Sequence, residues 1–125
     1  MPEIDVTYGD QKRDFIFVDD VADAYIAALE YGINNKFHYK KYEVGTGNSV
    51  SVKNFLDTIK NISKSNTKIN YGAIPYRSDE IMMSEADNLD LLALGWEPKF
   101  TIESGIKAII ERESDDVIND CNSNI

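Results

Sequence analysis

Three short stretches hold the side chains best suited to chemistry: Arg13, the run Gly45-Thr46-Gly47-Asn48, and the run Arg77-Ser78-Asp79-Glu80. Arg13 stands at the mouth of a predicted strand, where a guanidinium can grip a diphosphate because its planar fork matches two phosphate oxygens. The same cation can instead form a surface ion pair with Asp14 or Asp10, an arrangement that contributes little. Gly45-Thr46-Gly47-Asn48 lies between a short predicted strand and a helix start, so its backbone amides can face an anion or a ribose, or can form an ordinary turn. Arg77 beside Asp79 and Glu80 offers a cation for a phosphate and a carboxylate for ribose hydroxyls, with solvated loop charges as the alternative.

Other chemistries are poorly served. Tyr8 and Lys12 have the Tyr-x-x-x-Lys spacing of a catalytic phenol and its lysine, but that pairing needs both on one helical face, and Gly9-Asp10 breaks the segment into a turn. Gly-x-Gly-x-x-Gly is absent, and the Gly45 run has neither that spacing nor the lysine of a phosphate loop. Cys121 is the only cysteine and His38 the only histidine, which excludes an intrachain disulfide and a Cys/His zinc cluster.

These residues must be positioned by short elements. Ile4, Val6 and Tyr8 alternate with polar residues as in a strand, and a second strand is predicted over Arg13 to Val18, followed by a helix capped by Asp19-Asp20 that ends near Tyr31 with Gly32 as its terminator. Asn34 to Lys41 reads as a loop and Tyr42 to Gly45 as a brief strand. Ser51 caps the next helix, in which Val52, Phe55, Leu56, Ile59 and Ile62 form a core-facing stripe. Ile69 and Tyr71 predict a further strand, and Gly72 to Ser84 an irregular segment. A short helix follows, capped by Asp87, packed by Leu91 and Leu94 and ended by Gly95. Thr101 opens the last helix, with Ile102, Ile106, Ile109 and Ile110 along one face.

The expected fold class is therefore α/β (α+β), a small mixed lobe of short strands and about four helices. Residues 1–114 form the lobe and 115–125 a polar, frayed tail. The 13 Lys and Arg residues against 22 Asp and Glu give a net charge of −9, and the scattered cations argue against nucleic acid as a partner. No apolar run reaches membrane-spanning length, and the start carries no signal-like core, which points to the cytoplasm.

Four pieces in order resemble the extended short-chain dehydrogenase/reductase family of NAD(P)-dependent nucleotide-sugar epimerases and dehydratases. They are Arg13 to Ala22 (RDFIFVDDVA), Tyr42 to Gly47 (YEVGTG), Arg77 to Glu80 (RSDE) and Leu94 to Pro98 (LGWEP). The resemblance runs from about Asp5 to Ile110 and identifies the carboxyl-terminal, substrate-binding part. It implies that Arg13 and Arg77 contact the diphosphate of a nucleotide sugar and that Asn48 lies near the same ligand. The family's third piece usually ends in Gly-Asp; Asp79-Glu80 stands in its place, so Glu80 takes the role toward ribose with one extra methylene.

The family's nicotinamide-binding Rossmann domain, its glycine fingerprint and its catalytic Tyr and Lys would all precede the first residue. The resemblance thus implies NAD(P) for the complete enzyme, no cofactor bound by this chain alone, no turnover in isolation, and a Rossmann domain or separate chain as partner. Two alternatives are a stand-alone nucleotide-sugar-binding module and a remnant that self-associates through a bared interdomain face.

Overall fold

In the computed structural model, residues 2–35 and 39–123 are described, with side chains through residue 114; His38 and part of the expected loop before Lys41 lie outside them. Eight elements follow one another: β1 (Glu3–Val6), β2 (Lys12–Arg13), α1 (Val18–Asn34), β3 (Val50–Ser51), α2 (Val52–Ser63), β4 (Lys68–Tyr71), α3 (Leu89–Ala93) and α4 (Ile102–Ser123). The lobe is a mixed α/β arrangement, as the pattern of short apolar runs predicts.

Two small sheets organise it. β1 pairs in parallel with β4, setting Glu3 opposite Lys68, Ile4 opposite Ile69 and Val6 opposite Tyr71. Asn70 Nδ2 donates to Asp5 Oδ1 at 2.9 Å across this pair. β2 pairs antiparallel with β3, Arg13 opposite Val50. The other side of β2 is held by the irregular segment, since Lys12 N donates to Met82 O and Ser84 N to Lys12 O.

The helices contribute part of the core. Ala24 of α1, Leu91 of α3 and Trp96 form the buried centre, with Ile16, Ala27, Tyr42 and Leu94 packed around it. On the other side α2 packs against α4, and Phe15 stacks on Phe55 with ring centroids 3.8 Å apart and nearly parallel planes. Ser51 Oγ accepts from Asn54 N at 3.1 Å, the predicted cap of α2. Thr101 Oγ1 likewise accepts from Ser104 N at 3.1 Å, while Ser104 Oγ accepts from Thr101 N, a reciprocal cap on α4. Gly95, at φ +92°, follows α3 in a conformation that glycine adopts without strain.

Several expectations are corrected. The second strand is only two residues long: from Asp14 the chain leaves the ladder, because Asp14 turns to another loop and Phe15 and Ile16 are drawn into apolar contacts. Asp19 and Asp20 do not cap α1. Phe17 occupies the cap position without a side-chain bond, and both acids lie inside the first turn. Gly32 does not end α1, which continues to Asn34 and exits through an extended Asn35. Tyr42 to Gly45 forms no strand ladder, for Tyr42 packs as a side chain against the core. Asn88, not Asp87, is the residue flanking α3, although Asp87 Oδ1 does accept from Leu89 N at 3.3 Å. α4 itself runs from Ile102 to Ser123.

Candidate functional site

Arg13 is fixed by backbone pairing on both sides of β2, so its guanidinium is presented from a held position. Its Nη1 donates to Lys12 O at 2.8 Å and its Nη2 to Glu80 Oε1 at 3.2 Å. Arg77 reaches the same carboxylate from the other side, with Nε 3.6 Å from Glu80 Oε2. Arg77 Nε is also 4.0 Å from Asp79 Oδ1. A turn in which Glu80 N donates to Arg77 O sets this spacing. Glu80 is mostly buried at 16% side-chain exposure, Arg13 is half-buried, and Arg77 is open to solvent at 80%.

Arg13, Arg77 and Glu80 are thus brought together, and the ion pair of Arg13 is with Glu80 rather than with Asp14 or Asp10. Asp10 instead accepts from the Tyr76 hydroxyl at 3.3 Å. Asn48 occupies a different setting, on the rim of a largely apolar cavity of about 330 Å³ shared with Phe15, Phe17, Val50, Phe55 and Phe100. A second cavity of about 370 Å³ is lined by Arg13, Asp14, Glu43, Ser84 and Glu85.

Asp14 controls the Gly45 run. Its Oδ1 accepts from Thr46 N at 2.9 Å and from Thr46 Oγ1 at 2.6 Å. Its Oδ2 accepts from Gly47 N at 2.9 Å and from Ala86 N at 3.2 Å. Asn48 N donates to Thr46 Oγ1. The amides that could have faced an external anion therefore face an internal one. Gly45 is required here because a Cβ would collide with the Ala86 side chain and come within 2.6 Å of Asp14 Oδ2.

Asp20 is a fully buried carboxylate, 1% exposed, accepting from Lys99 N and Phe100 N, both at 3.0 Å. Its carbonyl accepts from Trp96 Nε1 at 3.0 Å. In the sequence alone Asp14 reads as an ion-pair partner and Asp20 as a cap. The missed signal is that each flanks the apolar run Phe15 to Val18, and a carboxylate drawn into such surroundings must find donors. Asp19, by contrast, faces solvent and pairs with Arg112, whose hydrogen bond holds its carboxyl below the usual range.

Tyr8 and Lys12 share no helix. Tyr8 packs beside Tyr76, ring centroids 6.4 Å apart, while Lys12 lies in β2. Tyr71 has the displaced phenol instead: burial, then its 2.6 Å bond to Asp57, pushes it up to about 12. Among the described residues no group of three His, Cys, Asp or Glu side chains is placed to hold a metal ion. Among them, too, no helix is long and apolar enough to cross a membrane.

The resemblance is borne out by comparison with known proteins. Residues 3–45 match the sequence model of the NAD dependent epimerase/dehydratase family. The CDP-abequose synthase of Salmonella muenchen is 47% identical over 108 residues, covering 86% of this chain and 36% of that protein. Over the part it spans, the chain is similar to this family, the extended short-chain dehydrogenases/reductases. Among solved structures of the family, the UDP-glucose 4-epimerase of Thermotoga maritima with UDP-glucose superposes with a TM-score of 0.77 at 28% identity, over 92% of this chain and 36% of that one. The UDP-glucose-4-epimerase of Stenotrophomonas maltophila, with bound NAD and formylated UDP-arabinopyranose, gives a TM-score of 0.74 at 26% identity, over 86% of this chain and 33% of that one. The chain spans about a third of the length of these family members.

The four pieces that carry the family resemblance are wired to one another. Arg13 to Ala22 reaches the Arg77 piece through Arg13 and Glu80, the Gly45 piece through Asp14, and the Trp96 piece through Asp20.

Proposed function

We propose that this chain is the nucleotide-sugar-binding part of an NAD(P)-dependent nucleotide-sugar epimerase or dehydratase and is not catalytic alone. Arg13 and Arg77 take the diphosphate, Glu80 the ribose hydroxyls, and Asn48 lies toward the sugar nucleotide from the neighbouring cavity rim. The observation that carries this reading is that two guanidinium groups from distant segments meet on one carboxylate, a spacing that also suits the oxygens of a diphosphate. In the complete enzyme NAD(P) supplies hydride transfer at the sugar. This chain's amides at Thr46 and Gly47 are committed to Asp14 and do not fit a dinucleotide pyrophosphate, so its own part is binding and orientation.

A partner is supported by α1, where Tyr25, Leu29 and Ile33 expose 67%, 65% and 82% of their surfaces along one helical stripe. In this reading residues 1–114 are the lobe, 115–125 its tail, and the stripe meets the dinucleotide-binding domain of the complete enzyme or a separate chain carrying it. Light scattering of the isolated chain distinguishes a bared interdomain face, which self-associates, from a stand-alone monomeric binding module.

Titration calorimetry with CDP-, UDP- and dTDP-sugars tests the function, with CDP-sugars first because the relative at 47% identity is named for one. Binding is expected, and replacing either arginine by Gln weakens it by about tenfold or more, the worth of one charge-assisted hydrogen bond. Absence of heat with all three ligand classes rejects the proposal.

A further inference from the structure

We infer that Glu80 is an internal stand-in for the diphosphate, an anionic gate that a ligand must displace. This rests on the proposed diphosphate site. Its carboxylate spans the two cations, one oxygen toward Arg13 and the other toward Arg77. The cluster as it stands has no charge to spare: Arg13 and Arg77 are matched by Glu80 and Asp79. A diphosphate arriving there would meet a neutral cluster whose most buried member carries its own sign, and like charges that close repel strongly outside bulk water.

The surroundings make Glu80 the group that moves. Asp14 has both oxygens filled by four donors and is not available to replace it on the arginines, while Glu85 Oε1 is turned to Ser49 N at 2.8 Å. Arg13 is held by the ladder on both sides of β2. Glu80, by contrast, lies in the irregular segment before Met82, on a flexible side chain with three rotatable bonds. Once displaced, its carboxylate is free to accept from the vicinal hydroxyls of a ribose. A ligand with both groups compensates the displacement; inorganic pyrophosphate has only the first.

The experiment compares the full chain with Glu80→Gln, an isosteric change that removes the charge, using inorganic pyrophosphate and CDP as probes in calorimetry, with circular dichroism to verify folding. Glu80→Gln should bind pyrophosphate about tenfold more tightly than the unaltered chain, the effect of deleting one close like charge. CDP should gain less, because the ribose contact is lost with the gate. Equal or weaker pyrophosphate binding by a folded Glu80→Gln chain, alongside measurable binding by the unaltered one, overturns the gate and leaves the diphosphate site standing. Failure of both proteins to bind either probe removes the diphosphate site itself and the gate with it.

Discussion

Replacing Asp20 by Ala isolates what one buried carboxylate does for this lobe. The side chain is 1% exposed and its two oxygens receive Lys99 N and Phe100 N, both at 3.0 Å. Truncation strands two inward-facing amides, each costing about 1–3 kcal/mol when left without a partner, so a loss of about 4 kcal/mol is expected. A chain of this size has about 6–15 kcal/mol in total, so that loss removes about a quarter or more of its stability. Urea unfolding should show a midpoint lowered by about 2 M, given a slope of about 2 kcal/mol per M. Trp96 fluorescence is a local reporter, since its indole N–H donates to the Asp20 carbonyl. Asp20→Asn, which keeps one acceptor, should fall between. The neighbouring Asp19→Ala is the control: its pair with Arg112 is solvent-exposed, and the midpoint should stay where it is. A midpoint for Asp20→Ala indistinguishable from that control would refute the assignment of Asp20 as the anchor of the Lys99-Phe100 turn.

Two further outcomes follow from single residues. Tyr71, with its phenol up to about 12, should be the late step in an alkaline absorbance titration of the folded chain, and Tyr71→Phe should remove that step. The sign is fixed by the raised value: its contribution is whole below pH 10, the unfolded phenol's range, and is lost as pH climbs toward about 12. Gly45→Ala should cost about 2–3 kcal/mol, because the new methyl must displace the Asp14 carboxylate or Ala86, and nucleotide-sugar binding should drop with it as Arg13 shifts. A thermal melt matching the unaltered chain would show that this loop tolerates a side chain.

The helices were the most legible part of the sequence, because their signals are local. Ser51 and Thr101 cap where a hydroxyl precedes an apolar stripe, and Gly95 takes a positive φ directly after α3. Parallel pairing of β1 with β4 was not visible, since partners so far apart are chosen by the whole fold. The strand misreadings share one cause. Arg13 to Val18 and Tyr42 to Gly45 have β-prone side chains, but strand propensity measures fit to a half-buried pleated surface, and here Ile16 and Tyr42 are used in packing around Leu91 and Trp96 instead of in a ladder. The caps of α1 failed for a related reason: acids before a helix look alike in sequence, whereas Asp19 goes to Arg112 and Asp20 to backbone amides beyond Trp96.

The same arrangement explains why the four family pieces travel together. The Arg–Asp pair at positions 13 and 14 sends one side chain toward the Arg77 piece and the next, where the chain leaves the β2 ladder, toward the Gly45 run. In the first turn of α1, Asp20 fastens the segment after Trp96. Asp14, held by the amides of Thr46 and Gly47, fixes the chain beside Arg13, so the Gly45 loop helps set where the guanidinium stands. Substitutions at Asp14, Gly45 or Thr46 should therefore behave as site mutations in binding and as core mutations in stability. Those at Arg77, four-fifths exposed, should separate the two, reducing affinity while leaving the melting temperature unmoved.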